Sequence, residues 1–444
     1  MTNRLNLLGD LIDKALKSGA TDADAIIINS TSLSTEVRLG KLVDIERSEN
    51  MAVALRVLIN GQQAIVSTAD FSTQSLNNIL ERVIAMAKVT PSNPHLFLAS
   101  KEQMVHNFVE LDLYDANEPS AESLIEKAKI TEDFALANKE ITNSEGSSAS
   151  YQSGKIYFAT SKGFQHSYQT SSSSLSLSVL AGLNENMQTD YAYSVARFAQ
   201  DLKSPEEIGL EAAKRVISKL NPRKLTTSEM PVIFDRRVAR GLISALASAV
   251  NGSLISRGTS FLLGNLEQEI FNNQINIIDD PFIIKGLGSR PFDGEAIAGT
   301  KLNIIEKGIL KTYLLDLQTA SKLKMRTTGH ATRSLVSAPS PGISNLYLEP
   351  GKISQADMIK SIKRGLLITE VFGHGANIIT GDYSQGVSGF YIENGEIAYP
   401  VSEITIASNL KYMFKHMSPA NDLKFESSIN SPTIFIEKMT IAGV

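Results

Sequence analysis

The sequence predicts an α+β protein: N-terminal units in which helices flank antiparallel strands, followed by a β-rich, barrel-like C-terminal domain. Three observations carry this expectation. Up to residue 225, helix-period apolar stripes alternate with strand-period patterns. From Pro231 onward, short apolar runs are separated by Gly, Asn and Asp turns. A chain of 444 residues also exceeds what one ordinary core serves. The expected divisions are 1–118, 119–225 and 226–444.

Residues 4–18 place Leu5, Leu8, Leu11, Ile12, Ala15 and Leu16 at helical spacing, and Gly19 ends that helix. Strands are expected at Ala25–Ile28, Thr35–Ile45 and Ala52–Val57, with Asn60-Gly61 as a tight hairpin into Gln63–Thr68. The alternation through Thr35–Leu39 predicts a sheet with one wet face. A helix over Gln74–Lys88 presents Leu76, Ile79, Leu80, Val83 and Ala87 as one stripe. Residues 90–119, rich in Pro, Asn and Asp, read as an irregular connection, long enough for a seam or a functional loop. The style then repeats: a helix over Ser120–Ala137, strands at Ala149–Thr160, Gln165–Thr170 and Leu175–Ala181, and a helix over Pro205–Leu220. The last opens with Pro and two glutamates at its positive end. The run SSSSLSLS at 171–178 alternates as a half-buried strand does.

Beyond Pro231 strands are expected at Pro231–Phe234, Ile275–Ile278, Lys301–Ile305, Ile309–Leu315, Asn345–Leu348, Leu366–Val371, Phe390–Glu393, Glu396–Val401 and Thr433–Lys438. Asn394-Gly395 is a hairpin signal. Ser354 and Asp357 have capping-box spacing before a helix over Met358–Arg364. Residues 235–260 read as a helix running into an Arg-Gly-Thr-Ser turn, with Val238, Leu242, Leu246 and Val250 on one apolar face.

Composition narrows function. A net charge of −4 leaves no electrostatic footprint for nucleic acid or an anionic membrane. No apolar run reaches membrane-spanning length. Asp10 and Asp13 interrupt the first apolar stripe, so it reads as an amphipathic helix and not as a signal peptide. The chain has no Cys, which removes disulfides, thiolate ligands and a Cys nucleophile, and fits a cytoplasmic setting.

The chemistry-bearing residues form few patterns. No two of His95, His106, His166, His330, His374 and His416 lie four or five residues apart, so no helix offers a His pair to one metal ion. A loop could bring His95 and His106 together. Gly-x-Ser-x-Gly does not occur, and Gly286-Leu287-Gly288-Ser289 lacks the Gly-Lys-Ser/Thr ending of a phosphate loop. That segment reads as a turn with glycines at positive φ. Arg290, Asp293 and Glu295 follow it, either as a buried ion-pair knot or as a substrate clamp, the knot being the commoner device. The tract 378–390, dense in Gly, Ser and Asp, reads as a bulged strand or a loop lining a cleft. It contains Asp382, Tyr383 and Ser384. The segment 328–341, with His330, is a second loop of that kind.

Several blocks together resemble the TldD/TldE (PmbA) family: VARGLISALASAVNGSLISRGTSFL (238–262), IIDDP (277–281), GLGSRPFDGE (286–295), TTGHATR (327–333), SNLYLEPG (344–351) and ITGDYSQGVSGFYIENGEIAYPVSEITIASNL (378–410). The resemblance covers nearly the whole chain. It implies a scaffold that, in TldD-type members, carries a His-Glu-x-x-x-His helix and a Cys ligand for zinc. It also implies that TldD-type and TldE-type chains pair into a protease with an enclosed chamber, acting on peptide-antibiotic precursors, unfolded peptides or an antitoxin. The family also carries the label modulator of DNA gyrase. Registered on Arg257–Ser260, the first ligand His corresponds to Ile243, the general-base Glu to Ser244 and the second His to Ser248. The C-terminal segment has no Cys.

The expectation is therefore a TldE/PmbA-like subunit with no catalytic residue and no cofactor of its own. Zinc would reside in a TldD-type partner, and peptides would be the substrate. Arg290, Asp293, Glu295, His330, His374, Asp382, Tyr383 and Ser384 are candidates for lining a chamber or contacting substrate. Isolated, the chain could pair with itself. The alternatives are an independent non-zinc hydrolase built on His330 or His374 with Asp382 and a Ser, or a regulatory binding protein linked to gyrase.

Overall fold

The structure, a computed structural model, describes residues 2–373 and 375–443. Helix α1 (Thr2–Lys17) leads into β1 (Asp22–Arg38), β2 (Lys41–Ile59), β3 (Gln62–Thr68) and α2 (Thr73–Ala87). After the irregular stretch come α3 (Ala121–Leu136), β4 (Ile141–Thr160), β5 (Gln165–Ala181), β6 (Gln188–Ala196) and α4 (Pro205–Ser218). The six strands make one antiparallel sheet in the order β3-β2-β1-β4-β5-β6. Pairing of β1 with β4, from Asp24 opposite Thr160 to Val37 opposite Ser147, runs the sheet through both N-terminal stretches.

Strand parity sorts this sheet. Odd-numbered residues of β1, such as Ala25 and Ile27, pack with α1 and α2 against Leu8, Leu11, Ile12 and Val83. Farther along, Leu33 and Val37 pack with Leu124, Ala128, Ile208 and Ala212 of α3 and α4. All four helices thus cover one face. The other face is wet only at one end. Around Ile26, Ala54 and Phe158 it is covered by Phe292, Ala296, Ile297 and Leu317 from the C-terminal domain. The wet face read from Thr35–Leu39 is present there, with Glu36 and Arg38 exposed, but it does not run the whole sheet: a second layer, remote in sequence, buries the near end.

Several elements differ from expectation for identifiable reasons. The expected strand Thr35–Ile45 is cut by a turn at Leu39 and Gly40, both at positive φ: its first part joins Ala25–Ile28 in β1 and its second joins Ala52–Val57 in β2. A Leu in a tight turn carries no turn signal. The turn is held from a distance: the buried Glu132 carboxylate of α3 accepts from Leu39 N (2.9 Å) and Gly40 N (2.7 Å). Strand β6, unexpected from its sequence, supplies the sheet's edge. The expected continuous helix after Asp235 is two: α5 (Arg236–Ala249) and α6 (Gly252–Arg257). Asn251 breaks it by capping α6 through Ser253 N (2.9 Å), while Gly252 N donates to Leu314 O (2.9 Å).

The C-terminal strands are β7 (Ser228–Phe234), β8 (Ile277–Asp279), β9 (Leu302–Glu306), β10 (Ile309–Leu310), β11 (Ala331–Thr332), β12 (Ser340–Pro341), β13 (Leu346–Leu348), β14 (Arg364–Phe372), β15 (Asp382–Glu393), β16 (Glu396–Asn409), β17 (Met417–Pro419), β18 (Ile429–Asn430) and β19 (Ile434–Ala442). Helices α7 (Leu317–Leu323), α8 (Gln355–Lys360) and α9 (Leu410–Lys415) interrupt them. Arg364, expected to end a helix, instead opens β14. The order β16-β15-β14-β7-β19 closes through pairing of β16 with β19, a five-stranded barrel. Closure removes free edges. A second sheet, β10-β9-β8-β13-β18, stands beside it, and α5 packs against strands of both.

Candidate functional site

Helix α5 is anchored by the Asp235 carboxylate accepting from Arg237 N (3.0 Å). Its apolar side, Leu242, Ile243, Leu246 and Ala249, joins the main C-terminal core with Phe234, Ile368 and Tyr383. Ile243 is 1% exposed, so it is a packing residue. Ser244 and Ser248 are half-buried. Ile243, Ser244 and Ser248 offer an alkyl group and two hydroxyls, which do not fit the imidazole, thiolate and carboxylate set that holds zinc.

The Gly286–Glu295 segment lies between β8 and β9. Neither Gly286 nor Gly288 adopts positive φ, contrary to expectation. What Gly288 supplies is space: a Cβ there would sit 2.0 Å from the Ser344 carbonyl oxygen. Arg197, after β6, reaches across to donate to Gly286 O (3.2 Å) and Leu287 O (2.6 Å). Asp293 is buried and accepts from Glu295 N (2.8 Å), Ile297 N (2.9 Å) and Ala331 N (3.0 Å). Glu295 accepts from Leu317 N (2.8 Å) at the start of α7. Burial, with Asp293 and Asp316 nearby, pushes the Glu295 carboxyl well above the usual range; burial also raises Asp293 and Asp316. Arg290 forms no ion pair with either acid among the described residues, so the expected knot is corrected. The acids pin backbone, and Arg290 Nε and Nη2 are buried without a hydrogen-bond acceptor among the described residues.

A cluster that sequence reasoning passed over completes this region. Asp24 on β1 lies directly opposite Arg56 on β2. Arg56 Nε donates to Asp24 Oδ2 (2.8 Å), and Arg333, just beyond β11, brings Nη1 within 2.8 Å of Asp24 Oδ1. The second contact is a buried ion pair that engages Nη1 of Arg333. Burial alone would raise the Asp24 carboxyl, but Arg333 and Arg56 hold it below its usual range. A signal was present: one charge of each sign inside the otherwise apolar runs at 23–28 and 52–59.

The remaining candidates do not converge. His330 is fully buried, its Nδ1 2.7 Å from Thr328 O and its Nε2 3.0 Å from Asp279 Oδ1. Ser344 bonds to Asp279 and not to the imidazole, so the trio is not ordered as a nucleophile–base relay. Asp382 and Ser384 are exposed at the start of β15, whereas Tyr383 points into the core edge-on to Phe234, its hydroxyl pushed up by burial. Of the 378–390 tract, residues 382–390 run in β15, and the bulges fall on its neighbours: Thr369 of β14 is the extra residue opposite Ser388 and Gly389, and β16 carries the extra residue at Ser402–Glu403; a Cβ at Gly389 would meet Leu367 O at 2.0 Å. His374 lies outside the described residues. His95 and His106 face Ser321 and the Lys101 carbonyl, respectively, and share no site. No described group of three His, Asp or Glu is arranged to hold a metal ion, and no described helix is long and apolar enough to cross a membrane.

Comparison with known proteins places three family models along the chain: PmbA/TldA metallopeptidase domain 1 at residues 23–87, the central domain at 114–220 and the C-terminal domain at 227–443. Metalloprotease PmbA of Escherichia coli O157:H7 is 37% identical over 442 residues, covering 98% of this chain and 96% of that protein. The metalloprotease PmbA homolog of Haemophilus influenzae is 37% identical over 435 residues, covering 97% and 94%. A Bacteroides thetaiotaomicron crystal structure, described as a candidate modulator of DNA gyrase, superposes with a TM-score of 0.93 at 28% identity over 100% of both chains. TldE from Thermococcus kodakarensis shares the fold, with a TM-score of 0.88 at 20% identity over 98% of this chain and 99% of that one.

Proposed function

The chain belongs to the PmbA/TldD metallopeptidase family, and from that premise we propose that it is the subunit of a peptidase that contributes scaffold and not metal chemistry. One observation carries this. The residue registered on the first zinc ligand, Ile243, is an aliphatic side chain at 1% exposure within the core. A peptidase metal centre needs ligands and a base that activates water. Ser244 and Ser248 supply neither. In this reading a TldD-type chain holds the zinc, and the two chains enclose a chamber in the cytoplasm. Asp382 and Ser384, exposed at the start of β15, are available to line it. Extended peptide is presented to the partner's metal by main-chain pairing.

The hydrolase alternative has less behind it. Both ring nitrogens of His330 face acceptors inside the core, and Asp382 is an exposed residue of another sheet. The test is metal analysis and peptidase assay of the purified full-length chain, followed by its co-purification with a His-Glu-x-x-x-His protein. The expected result is less than about 0.1 zinc per chain, no cleavage alone, and cleavage on adding the partner. One tightly bound zinc per isolated chain, or chelator-resistant peptidase activity, overturns the proposal.

A further inference from the structure

Between the helix-free face of the N-terminal sheet and the C-terminal domain lies a cavity of about 210 Å³. Its walls are of two kinds. Ile26 and Ile28 of β1, Ile156 and Phe158 of β4, and Phe292 make an apolar side. Arg290 and Arg333 make a cationic one. Arg333 is 3% exposed at its side chain; its Nη1 is paired with Asp24, but Nε and Nη2 have no hydrogen-bond acceptor among the described residues. The same holds for Nε and Nη2 of Arg290. A buried donor left unmade costs about 1–3 kcal/mol, more when charged. Four such atoms, on two residues that line one cavity, call for an acceptor.

We propose that this cavity binds the carboxylate of a compact apolar acid, with Arg290 and Arg333 holding the carboxylate and Phe158, Phe292 and Ile26 its alkyl or aryl body. The ligand class follows from the walls. Guanidinium forks match a planar carboxylate in a bidentate way. Two acids already face this region. Asp24 shares its charge between Arg56 and Arg333, and the Asp293 oxygens are engaged by three backbone N–H groups. A second or third negative charge, as on phosphate, would meet both acids, whereas a monoanion matches the free donors. Phe158 already lies against the Arg333 guanidinium carbon at 4.9 Å, leaving its edge to the ligand. A cavity of roughly 150 Å³ accommodates benzene. The volume here therefore suits one apolar side chain with its carboxylate. Such an acid is either free or the last residue of a peptide, and the two share this chemistry. The inference does not depend on the assembly proposed above.

The test is calorimetric titration of the full-length chain with N-acetyl-leucine, N-acetyl-leucinamide, a tetrapeptide ending in leucine as acid and as amide, and inorganic phosphate. Each acid is expected to bind at least about tenfold more tightly than its amide and than phosphate. A tetrapeptide acid about tenfold tighter than N-acetyl-leucine assigns the site to chain termini. Equal or weaker binding assigns it to free acids. Arg290→Gln, which leaves the Asp24 pairs in place, is expected to weaken acid binding at least about tenfold with an unchanged circular dichroism spectrum. Acid and amide binding alike, phosphate matching the acids, no acid binding up to about 10 mM, or an Arg290→Gln variant that binds as the wild type does would each overturn the proposal.

Discussion

Two charged seams join the N-terminal sheet to the C-terminal domain, and they are built alike but balanced differently. In each, a buried aspartate takes one cation from its own side and one from across. Asp24 has Arg56 from β2 and Arg333 from beyond β11. Asp190 on β6 has Lys219 (2.8 Å) at the end of α4 and Arg237 (3.0 Å) at the start of α5. At the second seam Glu370 adds another carboxylate to Lys219 (2.9 Å), and Asp235 stands 3.7 Å from Arg237. Cations there are matched by acids, and the space beside Arg237 is only about 10 Å³. At the first seam two guanidinium groups share one carboxylate, Arg290 beside them has no ion-pair partner among the described residues, and a cavity opens between the layers. A matched buried cluster clamps; an unmatched one beside a cavity is built to receive.

The largest effect should come from unbalancing the matched seam. Asp190→Asn leaves Lys219 and Arg237 buried without their shared carboxylate, at a cost of about 3–5 kcal/mol in urea unfolding. The pH dependence has a definite sign. Burial alone would raise the Asp190 carboxyl, but Arg237 and Lys219 hold it below its usual range. Its contribution is therefore present above the unfolded value near pH 4 and is lost as pH falls through the folded one. The variant should lack that part of the acid limb. A cost under about 1 kcal/mol would mean that this seam does not clamp the layers.

The same truncation made on both sides sharpens the contrast. Arg237→Met should cost about 3 kcal/mol or more, because it strands Asp190 with Lys219, already shared with Glu370. Arg333→Met should cost only about 1–2 kcal/mol, since Asp24 keeps Arg56 across the strand pair and two orphan donors disappear. Equal costs in denaturant titrations would erase the distinction between clamp and receptor.

How much of this was legible in the sequence depends on the range of the interactions. Local chemistry was readable: Asn60-Gly61 turns between β2 and β3, Ser204 and Glu207 form the capping box of α4, and the Leu–Ser alternation through 175–178 is a half-buried part of β5. The α+β class and the C-terminal barrel character followed from such signals. The Leu39–Gly40 turn was not readable, because its stabiliser, Glu132, is remote in sequence. The site was half legible. Arg290, Asp293 and Glu295 stood out as a charged knot. Their partners did not, because Arg290 faces a cavity whose opposite wall is β1 and β4. Nothing local to Asp24 or Arg333 tells that strand register and domain packing bring them together.

The smallest effect tests the acids behind the unmatched seam. Burial first, then Asp293 and Asp316, push Glu295 well above the ordinary glutamate range. The folded state therefore binds this proton more tightly than the unfolded chain, whose value lies near 4.3. As pH rises above that value the folded state progressively loses stability, until pH passes the folded value and the penalty becomes constant. Asp293 and Asp316 act in the same sense. Mild acidification from pH 8 toward pH 5 should thus raise the melting temperature, before protonation of Asp24 and Asp190 lowers it below about pH 4. Glu295→Gln keeps an oxygen for Leu317 N–H and removes the buried charge. It should melt a few degrees higher than the wild type at pH 8 and converge with it near pH 5. A wild-type melting temperature that is flat across this range, or a variant less stable at pH 8, would show that Glu295 carries no such penalty and that the loop behind Arg290 is held by hydrogen bonding alone.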